Sequence, residues 1–282
     1  MNANAPVLAL DGLAPLPADA APGMVKRVRD GHVQPGRDAD VLAQETPIAL
    51  AYNGISHATM LATPTALEDF AVGFSLTEGI VEHVSDIRDI SLRVQEDGVV
   101  IELEIAGAPM DRLKTRRRAM AGRTGCGLCG VETLPEVMRP VAPVGPGTTW
   151  CPDVLTAGMR AMRAAQDLHG RTGATHAAAW LGPDGQVICV REDVGRHNAL
   201  DKLLGALARE SRDAATGVVL VSSRASFEMV QKSAMRGATL LAAVSAPTAL
   251  AVTLAERSNV TLIGFVRDAD FSIYTHPQRV RA

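Results

Sequence analysis

A cysteine pair in a glycine-rich loop is the most reactive feature of the sequence. Cys126 and Cys129 form a C-x-x-C unit with three glycines in or beside it, and a basic segment, residues 114–123, precedes it. Nearby positive charge favours the thiolate, the form of cysteine that acts as a nucleophile or metal ligand. Glycine lets the backbone reach unusual conformations and lets another molecule approach closely. A reactive or metal-binding loop is therefore predicted.

The glycines of this loop, Gly125, Gly127 and Gly130, also spell G-x-G-x-x-G. A dinucleotide-binding fingerprint must follow a strand and open a helix, whereas the residues before this loop are basic and polar. That interpretation is rejected. A Walker phosphate loop is excluded as well, since no G-x-x-x-x-G-K-[ST] segment occurs in the chain.

Zinc binding needs four ligands, and the remaining cysteines, Cys151 and Cys189, are single and far apart in the sequence. Cys189 falls in the apolar alternation of a predicted strand, where a small buried hydrophobic residue is expected. No histidine begins the H-x-E motif of zinc deaminases. No metal site is predicted. A zinc-stabilised binding module and a thiol–disulfide oxidoreductase remain as alternative functions for the same C-x-x-C unit.

A second polar cluster, Arg191–Asn198, lies between a predicted strand and a predicted helix. Acidic residues near a helix start favour the helix dipole, but two arginines, a histidine and an asparagine exceed what capping requires. A functional role is therefore predicted. His176 is interpreted as a satisfied core histidine. Arg224 and Ser226 lie at another predicted helix N-terminus, where free N–H groups favour phosphate.

Composition sets the general class of the protein. The chain has 282 residues, 47% hydrophobic and 21% charged, with a net charge of −3 and only four cysteines. The hydrophobic and charged fractions indicate a globular protein. The small net charge argues against nucleic-acid binding by bulk charge, and four cysteines are too few and too irregularly spaced for the disulfide framework of a secreted protein. The uncharged stretch Gly237–Ala255 approaches the length of a membrane span, but Pro247 interrupts it. No membrane association and no signal peptide are expected, so the predicted location is cytoplasmic.

The elements that must position these residues fall into two predicted domains. Residues 1–44 are predicted to be a disordered tail. Residues 45–108 form a small α+β domain with hairpin turns at Asn53-Gly54 and Asp97-Gly98. Its helix, Thr65–Glu78, begins with a predicted capping box of Thr65 and Glu68. Residues 109–152 are a linker with a mobile C-x-x-C loop, and residues 153–282 are an α/β cofactor-binding domain that opens with a helix over Asp153–His169.

Three uniformly apolar strands separated by helices are expected in the second domain; they are Gly217–Ser222, Thr239–Val244 and Val260–Val266. This pattern is typical of a parallel sheet covered by helices on both faces. Ligands of such sheets bind beyond the carboxyl ends of the strands. Arg224, Ser245 and Ala246 lie at those ends and are predicted to bind a ligand.

Five segments between Thr46 and about Thr275 carry a resemblance to a known family; they are Arg123–Gly130, Thr172–Ala178, Arg191–Lys202, Arg224–Lys232 and Ser245–Thr275. In these segments the chain resembles the FdhD/NarQ family of formate dehydrogenase accessory sulfurtransferases. The resemblance implies a cytidine-deaminase-like, three-layer α/β/α domain beside the smaller N-terminal domain. A homodimer is left open.

The resemblance also implies a sulfur carrier. A cysteine desulfurase would load a persulfide onto Cys126, and the sulfur would pass to a molybdenum cofactor, Mo-bis(molybdopterin guanine dinucleotide), that serves formate dehydrogenase. The family's guanine-dinucleotide segment falls on Phe265, Val266, Arg267, Asp268, Ala269 and Asp270.

Cys129 is the second candidate catalytic residue, and its position raises a chemical problem. A Cys129 thiolate could attack a persulfide on Cys126, expel hydrosulfide and leave a disulfide. The loop is therefore expected to keep the two thiols apart until the cofactor is present, and Cys129 is expected to matter less than Cys126.

Overall fold

The computed structural model describes residues 14–111, 113 and 140–281. It begins with an antiparallel ribbon of β1 (Ala20–Val25) and β4 (Asp38–Ala43), extended at its tip by β2 (Val28–Arg29) and β3 (His32–Val33). The prediction of disorder over residues 1–44 is therefore wrong for this part of the tail. Backbone pairing and a salt bridge from Asp19 to Arg171, 2.7 Å long, hold the ribbon despite its alanine- and proline-rich start.

The N-terminal domain is a four-stranded sheet in the order β6-β5-β8-β7, covered by helix α1. Its elements are β5 (Thr46–Tyr52), β6 (Ile55–Ala62), α1 (Leu67–Thr77), β7 (Ile87–Gln95) and β8 (Gly98–Ile105). Both predicted hairpins are confirmed. Asn53 and Gly54 both have positive φ, as a type I′ turn requires, whereas the second turn is formed by Glu96 and Asp97.

The predicted capping box of α1 is wrong. The helix begins after Ala66, which is left-handed with φ of 49° and has no side chain that can cap the helix. Thr65 instead donates its backbone N–H to the carbonyl of Thr63, and Thr63 is held by the second domain. Tertiary contacts therefore override the local capping signal.

The second domain has a six-stranded sheet in the order β10-β9-β11-β12-β13-β14. The strands are β9 (His176–Leu181), β10 (Val187–Asp193), β11 (Val218–Val221), β12 (Leu240–Ala243), β13 (Thr261–Arg267) and β14 (Asp270–Ile273). Strands β11, β12 and β13 are parallel, which confirms the predicted parallel core. Sequence analysis missed β14, a short strand antiparallel to β13.

Helices cover both faces of this sheet, which confirms the predicted three-layer α/β/α architecture. The helices are α2 (Pro152–Ala164), α3 (Asp167–Thr172), α4 (Arg196–Arg209), α5 (Phe227–Met235) and α6 (Ala249–Arg257). Leucines of α4 and apolar residues of α5 and α6 share one core with the sheet, and α2 packs on the opposite face. Within the described ranges, no helix is both long and apolar enough to cross a membrane.

The helix predicted over Asp153–His169 is two helices, α2 and α3. Helix α3 begins where the carboxylate of Glu192 accepts the backbone N–H groups of Leu168 and His169 at 2.9 and 2.8 Å. The end of the predicted linker also belongs to the second domain, since the buried Trp150 pairs with Val280 beside the sheet.

The two domains meet where α1 crosses α4. Buried and half-buried ion pairs surround this crossing. Lys232 of α5 contacts Asp201 of α4 at 2.9 Å and Glu78 after α1 at 2.8 Å. Asp69 of α1 contacts Arg191 at 2.8 Å and also pairs with Arg209. The ion pairs join α1 to three elements of the second domain.

Candidate functional site

The predicted catalytic cysteines, Cys126 and Cys129, lie outside the described residues. The other cysteines differ from each other in exposure: Cys151 is exposed just before α2, and Cys189 is buried. Burial raises the pKa of the Cys189 thiol above its ordinary value, which disfavours the reactive thiolate. Cys189 is therefore a core residue, as its strand position predicted.

The segments that follow the three parallel strands meet at one edge of the sheet, as predicted. Ala225, one residue after Arg224, donates its N–H to the carbonyl of Ala246 at 3.3 Å. Phe265 donates its N–H to the carbonyl of Ser245, also at 3.3 Å. Backbone hydrogen bonds thus bring Arg224, Ser245, Ala246 and Phe265 to the same edge.

The Phe265–Asp270 segment comprises the end of β13, the turn at Asp268 and Ala269, and the first residue of β14. A register shift between Gly264 and Arg267 marks a bulge, and Phe265 within it has a φ of 58°. A positive φ is rare and costly for a bulky residue, and such conformations concentrate at functional sites. Phe265 is 40% exposed at this edge. The structure therefore holds an accessible aromatic ring in a strained backbone position.

The other residues of this segment have different environments. Val266 is 1% exposed and packs in the core on the α2 side of the sheet, so its side chain is not accessible to a ligand. Arg267, Asp268, Ala269 and Asp270 are exposed, and the carbonyl of Asp268 accepts a hydrogen bond from Arg160 at 3.2 Å. Two exposed acidic residues, Asp268 and Asp270, thus lie within a few residues of Phe265 in the sequence.

Part of the predicted polar cluster Arg191–Asn198 is structural. Asp193 and Lys202 are both fully buried and form an ion pair of 2.6 Å. Asp193 also accepts hydrogen bonds from the backbone of Thr63 at 3.0 Å and from the side chain of Asn198 at 3.0 Å. Arg191, Asp193 and Asn198 thus make contacts that hold the two domains together, and the functional role predicted for the cluster stays a prediction.

Arg196 and His197 of the same cluster lie instead at the sheet edge, in the first turn of α4. The imidazole Nε2 of His197 lies 2.6 Å from the carboxylate of Glu228, in the first turn of α5. His176, at the start of β9, is half-buried and pairs in register with Asp193. Burial, and then the charge of Arg196, lower the pKa of His176, so its neutral form is favoured. Sequence analysis missed Glu228 and interpreted His176 as a core residue.

The described ranges contain no group of three or more His, Cys, Asp or Glu residues placed to hold a metal ion. The polar groups at the sheet edge are instead cations, hydroxyls, backbone amides and the exposed carboxylates of the β13–β14 turn. Together with the strained aromatic residue, they define an α/β protein with a polar, partly exposed edge at the carboxyl ends of its parallel strands.

Comparison with known proteins identifies the family. The FdhD/NarQ family matches residues 43–281, so the chain belongs to the FdhD/NarQ family. It is 62% identical over 271 residues to a "Sulfur carrier protein FdhD" of Bordetella petrii, covering 95% of this chain and 96% of that protein. It is 59% identical over 242 residues to the protein of the same name from Cupriavidus necator, covering 86% and 84% of the two chains.

The fold is also found in a solved structure. The crystal structure of a putative formate dehydrogenase accessory protein from Desulfotalea psychrophila matches with a TM-score of 0.75 and 24% identity, covering 95% of this chain and 100% of that one. At this level of identity the match shows a shared fold.

Proposed function

We propose that this protein is a cytoplasmic sulfur carrier for the maturation of formate dehydrogenase. In this role Cys126 receives persulfide sulfur from a cysteine desulfurase and delivers it to the molybdenum of Mo-bis(molybdopterin guanine dinucleotide), which is bound transiently as substrate. Membership of the FdhD/NarQ family and relatives named sulfur carrier proteins support the sulfur-transfer role.

The loading step fits the chemistry of the cysteine loop. A Cys126 thiolate attacks the terminal sulfur of the donor persulfide, the donor cysteine leaves as a thiolate, and Cys126 carries the persulfide. Such an attack needs an accessible thiol with substantial thiolate character, which the adjacent basic segment favours.

The observation that carries the cofactor part of the proposal is the strained, exposed Phe265 at the sheet edge. Its ring gives a planar surface for a base, and the neighbouring carboxylates of Asp268 and Asp270 can accept hydrogen bonds from guanine N1–H and the exocyclic amino group. Arg224 and the backbone amides of the strand-end segments are suited to the phosphate groups of the same ligand.

The test of sulfur transfer is the mass of the protein after incubation with a cysteine desulfurase and cysteine. We expect a gain of one sulfur atom on wild type and on Cys151→Ser, a control at an exposed cysteine, and no gain on Cys126→Ala. In cells that lack the native carrier, only Cys126→Ala is expected to leave formate dehydrogenase inactive.

Persulfide formation on Cys126→Ala, or full formate dehydrogenase activity with that variant, would contradict the assignment of the carrier cysteine. The same samples test the alternative functions. Stoichiometric zinc would favour the binding module, and reduction of a Cys126–Cys129 disulfide without any sulfur transfer would favour the oxidoreductase.

A further inference from the structure

Two helices begin side by side at the same sheet edge as the candidate nucleotide segment. They follow β10 and β11, whereas the candidate nucleotide segment lies at the end of β13. Helix α4 starts at Arg196 after β10, and α5 starts at Phe227 after β11. The His197–Glu228 ion pair of 2.6 Å connects their first turns. His176 at the start of β9 lies between these strand ends, because β9 pairs with both β10 and β11. The cluster thus combines three cationic or protonatable side chains, Arg196, His197 and His176, with one carboxylate.

The carboxylate of Glu228 lies where an external anion would be stabilised. The His197 imidazole, whose Nε2 lies 2.6 Å from the carboxylate, lowers the pKa of Glu228 below its ordinary value, so this position favours negative charge. The side chain of Glu228 is 53% exposed, so it can leave the cluster without opening the core. Because Glu228 is both negatively charged and exposed, its carboxylate can occupy the position of a ligand anion and be displaced by it.

Two further donors in the cluster have no partner. Among the described residues, Arg196 Nε and Ser226 Oγ are buried atoms without a hydrogen-bond partner. Ser226 is the N-cap residue of α5, yet its side chain does not cap the helix. Buried donors are normally satisfied, and leaving one unpaired costs free energy. A bound anion that accepts hydrogen bonds would satisfy both groups.

We propose that His176, Arg196 and His197 form a phosphate-binding subsite, which Glu228 occupies until an anionic ligand displaces its carboxylate. The chemical class of ligand is a phosphate or diphosphate group. The assignment of this group to a guanine nucleotide rests on the proposed function, and the binding of the phosphate itself does not.

The other charged groups around the cluster do not compete for that anion. Asp193 is buried and paired with Lys202 at 2.6 Å. His169 of α3 adds a protonatable group beside His176, and its Nδ1 lies 2.8 Å from the carbonyl of Thr175. Glu228 is therefore the carboxylate that an incoming phosphate must displace.

The experiment is calorimetric titration of the full-length protein with inorganic pyrophosphate, orthophosphate and guanosine diphosphate. We expect Arg196→Gln to weaken pyrophosphate binding about tenfold or more, since it removes a charge-assisted donor. We expect Glu228→Gln to tighten it several-fold, because it removes the competing negative charge. Arg171→Gln, at a surface salt bridge to Asp19, is the matched control and should bind like wild type.

The two variants must shift the affinity in opposite directions, which a purely structural role would not produce. Equal pyrophosphate affinity in wild type, Arg196→Gln and Glu228→Gln would overturn the subsite, as would the absence of pyrophosphate binding to wild type. If Arg196→Gln does not fold, the Glu228→Gln measurement decides alone. Stronger binding of pyrophosphate than of orthophosphate identifies a diphosphate as the ligand, and the reverse order identifies a single phosphate group.

The same titrations separate this inference from the proposed function. If guanosine diphosphate binds and pyrophosphate does not compete with it, the phosphate subsite is wrong, whereas the proposed nucleotide site is supported. Pyrophosphate that binds as expected, with no added affinity from the guanosine group, would support the subsite and contradict guanine recognition.

Discussion

Gly73 of α1 and Gly205 of α4 lie in direct backbone contact where the two domains meet. A Cβ atom on Gly205 would lie 2.7 Å from the backbone nitrogen of Gly73 and 1.8 Å from the carbonyl oxygen of Asp69. A Cβ atom on Gly73 would lie 1.8 Å from the carbonyl oxygen of Asp201. The domain interface therefore depends on the absence of a side chain at both positions.

Gly205→Ala is expected to lower the free energy of unfolding by about 3 kcal/mol or more, because the new methyl group overlaps backbone atoms that cannot move aside easily. Urea unfolding followed by circular dichroism measures this. Gly170→Ala in α3 is the control, since a Cβ atom there meets nothing within 4 Å and alanine favours helix. Equal stability of Gly205→Ala and wild type would show that the helices can separate without cost.

Lys202→Met is expected to destabilise the protein by about 3–5 kcal/mol, because it leaves the buried carboxylate of Asp193 without its partner. The double variant Lys202→Met/Asp193→Asn should recover part of this loss, since it removes the unpaired charge. Urea unfolding of both variants and wild type provides the comparison. A double variant that is less stable than Lys202→Met would contradict the assignment of the loss to an unpaired charge.

Guanosine diphosphate is expected to bind, and adenosine diphosphate is not, because only guanine presents an N1–H and an amino group to a carboxylate. Asp268→Asn and Asp270→Asn test which carboxylate recognises the base, and the one that does should lose about tenfold or more in affinity. Phe265→Leu should weaken binding as well, by removing the aromatic surface. Calorimetry with equal affinities for the two nucleotides would remove this assignment.

Glu228→Gln is expected to lower stability at neutral pH and to have a smaller effect in acid. The pKa of Glu228 is lowered in the folded protein, from an ordinary value of 4.5, first by the adjacent imidazole of His197. The resulting stabilisation is present above the unfolded-state pKa and is lost as pH falls through the folded-state pKa. Because the side chain is exposed, the difference should stay below about 1 kcal/mol.

The measurement is the difference in unfolding free energy between wild type and Glu228→Gln at about pH 7 and about pH 4. Other titrating groups, including His176, contribute to both proteins and largely cancel. A difference that grows on acidification would have the wrong sign for a carboxylate with a lowered pKa.

Local sequence patterns were enough to predict most elements and the parallel sheet. The apolar strands β11, β12 and β13 follow from their uniform hydrophobicity, and the turn at Asn53-Gly54 follows from residues that tolerate positive φ. Because parallel strands end at one sheet edge, the meeting of Arg224, Ser245 and Phe265 could also be predicted. The reactive character of Cys126 remains a prediction from residue types and spacing, since Cys126 lies outside the described residues.

Tertiary structure alone decided which polar residues are structural and which are accessible. Nothing in the sequence near Asp193 or Lys202 indicates that they pair in the core, since the pairing depends on how β10 packs on α4 and on Thr63 of the other domain. The contact of His197 with Glu228 joins residues on separate helices, and its geometry is set by the packing of α4 beside α5. Such side-chain contacts between distant segments depend on the packed arrangement of whole elements, which local periodicity does not encode.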